Sequence, residues 1–197
     1  MLSLHSKNMT QSSYPPNIIV REAMSEDVTF VAECVLAAVD RYDFRSECPQ
    51  LALTEQICGR DDTLYSFRKA WIATIERTAV GCLIAYDGAD YEKARGITYG
   101  LLKRNGVDLT GTEAETGPGE FYLDTLALRP NFRGYGIGRL MIKYAVETAK
   151  SQGFSRCSLI VSKDKERLRQ FYESLGFKAD REIAAFGEPY IKMVMDI

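Results

Sequence analysis

Apolar positions recur along this chain at two spacings. Between residues 137 and 148, apolar or small side chains fall at 137, 140, 141, 144, 145 and 148. That spacing is the buried stripe of a helix. Arg139, Lys143, Glu147 and Lys150 occupy its other side, and Gly153 supplies a stop. Residues 120–128 alternate instead. A regular strand would put Tyr122, Asp124 and Leu126 on one face and Phe121, Leu123 and Thr125 on the other. Similar patterns predict strands at 18–21 and 156–161, a hairpin of 69–76 with 79–86, and a hairpin of 178–186 with 189–195 around Gly187. Helical spacing predicts 28–40 behind a Ser25 cap, 51–58, a short piece at 61–67, 91–103, and 163–175 ending at Gly176. The order is β, helices, β-hairpin, helix, β, helix, β, helix, β-hairpin. It implies an α+β fold, with a mixed, mostly antiparallel sheet of six to seven strands and helices on both faces. One domain is expected over 18–197, with 87–119 as a helical and loop insertion and 1–17 as a flexible polar tail.

Between the strand at 120–128 and the helix after it lies Arg133-Gly134-Tyr135-Gly136-Ile137-Gly138-Arg139. A glycine turn feeding a helix aims several backbone N–H groups and a helix N-terminus into one small volume, which suits phosphate. Two phosphate motifs fail here. No Lys-Ser or Lys-Thr follows the glycines as a P-loop needs. The dinucleotide spacing G-x-G-x-x-G meets Arg139 or Met141 where its last glycine belongs.

Composition narrows the chemistry. With 197 residues, 46% apolar and 26% charged, the chain can bury a substantial core. A net charge of −2 and no basic run predict no nucleic-acid partner. No apolar stretch approaches a membrane span, and residues 1–17 lack the apolar segment of a signal peptide, so a cytoplasmic protein away from membranes is expected. The five cysteines form no C-x-x-C and are expected as free thiols, mostly buried, with Cys48 the most exposed. The single histidine is His5. A Ser-His-Asp or Cys-His mechanism and a His-based metal site in the folded body are therefore excluded, and no metal is expected. Carboxylates, tyrosines and backbone groups remain.

What the turn does fit is Arg/Gln-x-x-Gly-x-Gly/Ala, with Arg133, Gly136 and Gly138 in place. Leu126-Ala127-Leu128-Arg129-Pro130 precedes it, and Phe171-Tyr172-Glu173-Ser174-Leu175-Gly176-Phe177 follows at a matching distance. Across roughly residues 120–178 the chain resembles the GNAT superfamily of acyl-CoA-dependent N-acetyltransferases. The resemblance implies an enzyme that moves an acetyl group from acetyl-CoA to a primary amine by direct attack in a ternary complex. The alternative is a non-catalytic acyl-CoA-binding sensor. The implied partners are acetyl-CoA and an amine acceptor, in a monomer or homodimer.

The resemblance also implies roles. The strand at 120–128 should splay from its neighbour, and the backbone of Leu126, Ala127 and Leu128 should hold the pantetheine arm. Arg133, Gly134, Tyr135, Gly136, Ile137, Gly138 and Arg139 should wrap the pyrophosphate, with glycine at 136 and 138 because a Cβ would obstruct close backbone approach. Tyr172 takes the general-acid position; a phenol near pKa ~10 can pass a proton to a thiolate near ~8.5. A core aromatic on a helix stripe is the plainer reading of that tyrosine. Asp124 sits where some members carry a base acting through water, with Glu120 or Tyr122 in reserve as base or acceptor contact. Lys165 replaces a frequent Asn and is available to a phosphate. Tyr42, Asp43, Phe44 and Arg45 fall where members shape the acceptor pocket. Glu113, Glu115 and Glu120 form either a solvated acidic loop or a lid that attracts a cationic amine.

Overall fold

The structure is a computed structural model and describes residues 17–197; the expected tail, His5 included, lies outside the described residues except for Asn17. Its strands are β1 (Ile18–Glu22), β2 (Ala70–Ile75), β3 (Thr78–Asp87), β4 (Phe121–Leu128), β5 (Arg156–Ser162), β6 (Lys178–Ala185) and β7 (Glu188–Asp196). They form one sheet in the order β1-β2-β3-β4-β5-β7-β6. Every neighbouring pair is antiparallel except β4 and β5. This is the mostly antiparallel α+β sheet expected, with seven strands.

Helices cover both faces. Helix α4 (Ile137–Ser151) and α5 (Glu166–Glu173) bury Ile137, Met141, Ala145 and Tyr172 against Trp71, Leu83, Phe121 and Leu159. On the opposite face α1 (Val28–Ala38), α2 (Leu51–Cys58) and α3 (Tyr91–Arg104) bury Phe30, Val31, Cys58 and Tyr91 against Ile72, Ile84, Tyr86 and Tyr122. β2 and β3 serve both cores because their successive side chains point to opposite faces.

Several local expectations are corrected. Residues 61–66 form no helix, and only a single 3₁₀ turn, Phe67–Lys69, precedes β2. Ser25 does not cap α1. It opens a 3₁₀ turn, Ser25–Asp27, and the Asp27 carboxylate accepts the Met24 N–H at 2.8 Å while pairing with Arg21 at 2.6 Å. Helix α5 is shorter than predicted because its first turn begins only at Glu166. All five cysteines are free; four are buried and Cys48 is half-buried.

The correction that matters most is in β4. Ile84 lies opposite Thr125 and Ala85 opposite Leu123, which leaves Asp124 as an extra residue in a β-bulge. A bulge resets the alternation. Leu126 and Leu128 therefore pack with Phe121 and Leu123 on the α4 face, not with Tyr122 as a regular strand would have it.

β4 and β5 pair only at Phe121–Cys157 and Tyr122–Ser158. Beyond Tyr122 they part, while β5 stays paired with β7 along its length. The closed end of the gap is clamped. The Glu120 carboxylate accepts from Lys192 of β7 at 2.7 Å, from Thr116 at 2.8 Å and from Ser158 of β5 at 2.9 Å. The insertion at 87–119 crosses the α1 face to the far edge of the sheet. There the Glu113 N–H donates to the Ala184 carbonyl, the Glu113 carboxylate accepts the Ala184 N–H, and Thr112 Oγ1 accepts the Phe186 N–H.

Candidate active site at the β4–β5 gap

The open end of the gap faces the glycine turn. After β4, a 3₁₀ turn at Pro130–Phe132 leads to Gly134 (φ +84°) and Gly136 (φ +78°). Gly136 is the residue before α4 and accepts the Leu140 N–H at 3.0 Å. Its left-handed backbone is strained for any residue with a Cβ. The first N–H groups of α4, from Ile137 through Arg139, have no intrahelical acceptor. With the positive end of the helix dipole they make an anion site. Gly138 differs from Gly136. A Cβ there would stand 3.7 Å from Leu126 and Phe171 and 3.8 Å from Leu128, an ordinary contact. Packing within the protein therefore does not itself demand glycine at 138.

The two arginines of the turn are partly engaged. Arg133 Nε donates to the Leu128 carbonyl at 3.2 Å. Arg139 donates to Ser174 Oγ at 2.9 Å and lies 5.9 Å from the centre of the Phe171 ring, which ties α4 to the end of α5. Both remain solvent-exposed, as does Tyr135. Ala127 is buried on the opposite face, opposite Cys82. Lys165 is not directed at the turn. Its Nζ lies 2.5 Å from Asp40, just beyond α1, so the pair links the chain after β5 to the α1 side.

Tyr172 projects from α5 into the α4-side core, with ring centres 5.4 Å from Phe171 and 6.0 Å from Phe177. It is 8% exposed, and burial alone, with no hydrogen-bond partner among the described residues, acts on its hydroxyl. Burial pushes its pKa up to about 12, so the phenol carries its proton throughout the neutral range.

Asp124 lies on the other side of the sheet. Its carboxylate accepts from Tyr86 at 2.5 Å and from Thr125 at 3.1 Å. Burial raises its pKa toward neutral, against the pull of those two donors and of Lys69. The Lys69 amine sits 4.6 Å from the centre of the Tyr86 ring and donates to the Thr63 carbonyl at 2.9 Å; burial lowers its pKa.

Two residues expected at the acceptor are engaged within the protein. Tyr122 is fully enclosed and donates to Glu115, and Glu120 is held in the clamp with Lys192. Tyr42 and Phe44 pack together, ring centres 5.4 Å apart. The guanidinium of Arg129 lies 5.4 Å from the centre of Phe44 and 4.9 Å from that of Phe30, and pairs with Glu33 at 3.4 Å. The three carboxylates of the acidic loop are each engaged within the protein. Glu113 holds the edge of β6, Glu120 is in the clamp, and Glu115 is buried beneath α3 with its carboxylate accepting from Tyr91 at 3.1 Å and from Tyr122. Tyr86, Lys69 and the burial of Glu115 escape sequence reasoning. The only signal was the density of tyrosines between residues 65 and 122.

Comparison with known proteins bears on this geometry. The family model described as acetyltransferase (GNAT) family matches residues 36–177. A crystal structure of an acetyltransferase shares 26% identity, covers 91% of this chain and 99% of its own, and superposes with a TM-score of 0.72. An N-acetyltransferase from Staphylococcus aureus Mu50 shares 20% identity over 90% of this chain and 100% of its own, at a TM-score of 0.75. The PaiA N-acetyltransferase from Thermoplasma acidophilum, solved in complex with coenzyme A, shares 16% identity over 92% and 99%, at 0.56. The last two likenesses show a common fold. No curated protein matches the chain.

Proposed function

The chain belongs to the acetyltransferase (GNAT) family, and from that premise we propose that it transfers an acetyl group from acetyl-CoA directly to a primary amine in a ternary complex. The observation that carries this reading is the parting of β4 and β5 after Tyr122, because the unpaired stretch borders both faces of the sheet. Tyr172 approaches from the α4 side and Asp124 from the α1 side. A thioester in the gap would therefore have an acid on one side and a base on the other.

Each residue then has a task. The unpaired β5-side edge of β4 at Leu126 and Leu128 offers backbone groups to the pantetheine arm and an N–H to the thioester oxygen. The α4 N-terminus, Gly134, Gly136 and the exposed guanidinia of Arg133 and Arg139 receive the pyrophosphate. Asp124 takes a proton from the acceptor ammonium, directly or through water. Tyr172 gives its proton to the departing sulfur. The loop carrying Tyr42 and Phe44 joins the acceptor side through the Asp40–Lys165 pair. Coenzyme A bound to the Thermoplasma acidophilum neighbour supports the choice of donor.

Tyr172→Phe tests the reading. Burial alone acts on this hydroxyl, with no hydrogen-bond partner among the described residues, so its loss should leave the melting temperature nearly unchanged. A positioned general acid contributes ~10²–10⁴-fold, and kcat should fall by that order with acetyl-CoA affinity preserved. A variant with parental kcat would make Tyr172 a core aromatic and nothing more.

A further inference from the structure

The chain between α1 and α2 is tied to both strands of the gap at the end where they part. Helix α1 closes with the Arg41 N–H donating to the Leu36 carbonyl at 2.8 Å and the Asp40 N–H to the Ala37 carbonyl at 3.3 Å. Such a helix end needs one left-handed residue, ordinarily glycine. Here it is Asp40, at φ +57°. Its carboxylate lies 2.5 Å from the amine of Lys165, three residues beyond β5. The Lys165 N–H is itself fixed on the carbonyl of Ser162, the last residue of that strand.

A second left-handed residue follows at Phe44, at φ +65°. A bulky side chain is costly there. Asp43 holds the turn by accepting the Arg45 N–H at 2.9 Å and the Ser46 N–H at 3.3 Å. The Phe44 ring then lies 5.4 Å from the guanidinium of Arg129, the residue directly after β4. Arg129 is anchored to β3, its N–H on the Val80 carbonyl at 2.9 Å and its Nε on the Ala79 carbonyl at 3.0 Å. From α1, the Glu33 carboxylate stands 3.4 Å from both Arg129 and the Tyr42 hydroxyl.

We infer that Asp40–Phe44 is a strap across the α1 side of the open end of the gap, latched to the β5 end by Asp40–Lys165 and to the β4 end by Phe44–Arg129, with Lys165 and Arg129 as positioning residues for the acceptor amine. This rests on the acyltransfer reading above. β4 and β5 share no pairing beyond Tyr122, and the strap links their ends instead. Attack on a thioester needs the amine held close and water kept out, and a strap that opens for entry and closes for reaction meets both needs. The latches suit reversible closure. Asp40 is exposed and Lys165 half-buried, and ion pairs so placed are weak. The 3.4 Å contact of Arg129 with Glu33 is longer than a strong charge-assisted bond. Two costly backbone positions held by weak latches can release without unfolding the sheet.

Trypsin reads the strap directly, because Arg41 and Arg45 are exposed on it and beside it. Asp40→Asn tolerates the same left-handed backbone and removes the charge. Arg129→Met removes the guanidinium and keeps an apolar stem. Each should speed cleavage at Arg41 and Arg45 in the native protein about threefold to tenfold, mapped by mass spectrometry. A double variant of Asp40→Asn with Lys165→Gln should be cleaved no faster than either single one, since one latch is removed once. The melting temperature of Asp40→Asn should stay within about 3 °C of the parent. In turnover, Asp40→Asn and Arg129→Met should raise the amine KM about threefold to tenfold with acetyl-CoA affinity unchanged, and Lys165→Arg, which keeps the charge, should retain the parental KM. Cleavage at the parental rate in both Asp40→Asn and Arg129→Met would overturn the strap. Acetyl-CoA affinity that weakens in step with the amine KM would mark a general loosening and overturn the positioning role. If the parent turns over no amine, the acyltransfer reading fails, and the cleavage arm still decides whether the strap is latched.

Discussion

Glu115 shows at the scale of one residue how burial becomes a pH dependence. Its folded-state proton affinity is raised above the unfolded value, chiefly by burial. Between those two values the folded chain binds more protons than the unfolded chain, so this residue's contribution to stability falls as pH rises through the window. Glu115→Gln keeps the shape and an acceptor oxygen for Tyr122 but removes the titration. Relative to the parent, the variant should gain melting temperature on going from about pH 5 to about pH 8. A difference in melting temperature that stays constant with pH would contradict the burial argument. Residues differ sharply in how legible they are from sequence. Tyr172 and Gly136 stand in short motifs whose spacing carries their place. Glu115 sits among glycines, threonines and prolines that read as a surface loop. What buries it is its neighbour Glu113 meeting Ala184, 71 residues away. Lys165 is similar: its partner Asp40 is 125 residues distant, and no local pattern announces it.

Elements were legible where their period was clean. The amphipathic stripe of α4, the two hairpins and the insertion helix all fall within a residue or two of the expected bounds. β4 was legible as a strand but not as a bulged strand, because an inserted residue leaves composition unchanged and only the pairing with Ile84 and Ala85 reveals it. Two tests belong at this scale. Gly136 enters α4 with a left-handed backbone, and its neighbours offer N–H groups to an anion. Gly136→Asp adds a negative charge at that spot and should abolish acetyl-CoA binding by isothermal titration. Binding at parental affinity would reduce the turn to a structural connector. At the other end of the gap, Lys192 is 3% exposed and neutralises Glu120. Lys192→Ala leaves a half-buried carboxylate uncompensated and should cost about 3–5 kcal/mol in denaturant unfolding. A loss under about 1 kcal/mol would mean that the closed end is held by strand pairing and not by the ion pair.

For the whole molecule, the sheet divides the work between its faces. The α4 side carries the glycine turn and Tyr172, and the α1 side carries Asp124, the aromatic loop and the insertion. Family and fold class were readable from sequence because the glycine turn and the Phe-Tyr motif lie on the β4–α4–β5–α5 unit. The surroundings of Asp124 were not, since Lys69, Tyr86 and Thr125 come from separate stretches that meet only in three dimensions. Among the described residues no helix is long and apolar enough to cross a membrane. The most direct measurement is product stoichiometry: acetyl-CoA is incubated with the protein and a panel of primary amines, and released thiol and acetylated amine are quantified together. Transfer at the gap should yield one acetylated amine for each thiol released, with no thiol above background when the amine is omitted. Acetyl-CoA that binds and stays intact across the panel, or is hydrolysed to acetate at the same rate without an amine, would contradict it.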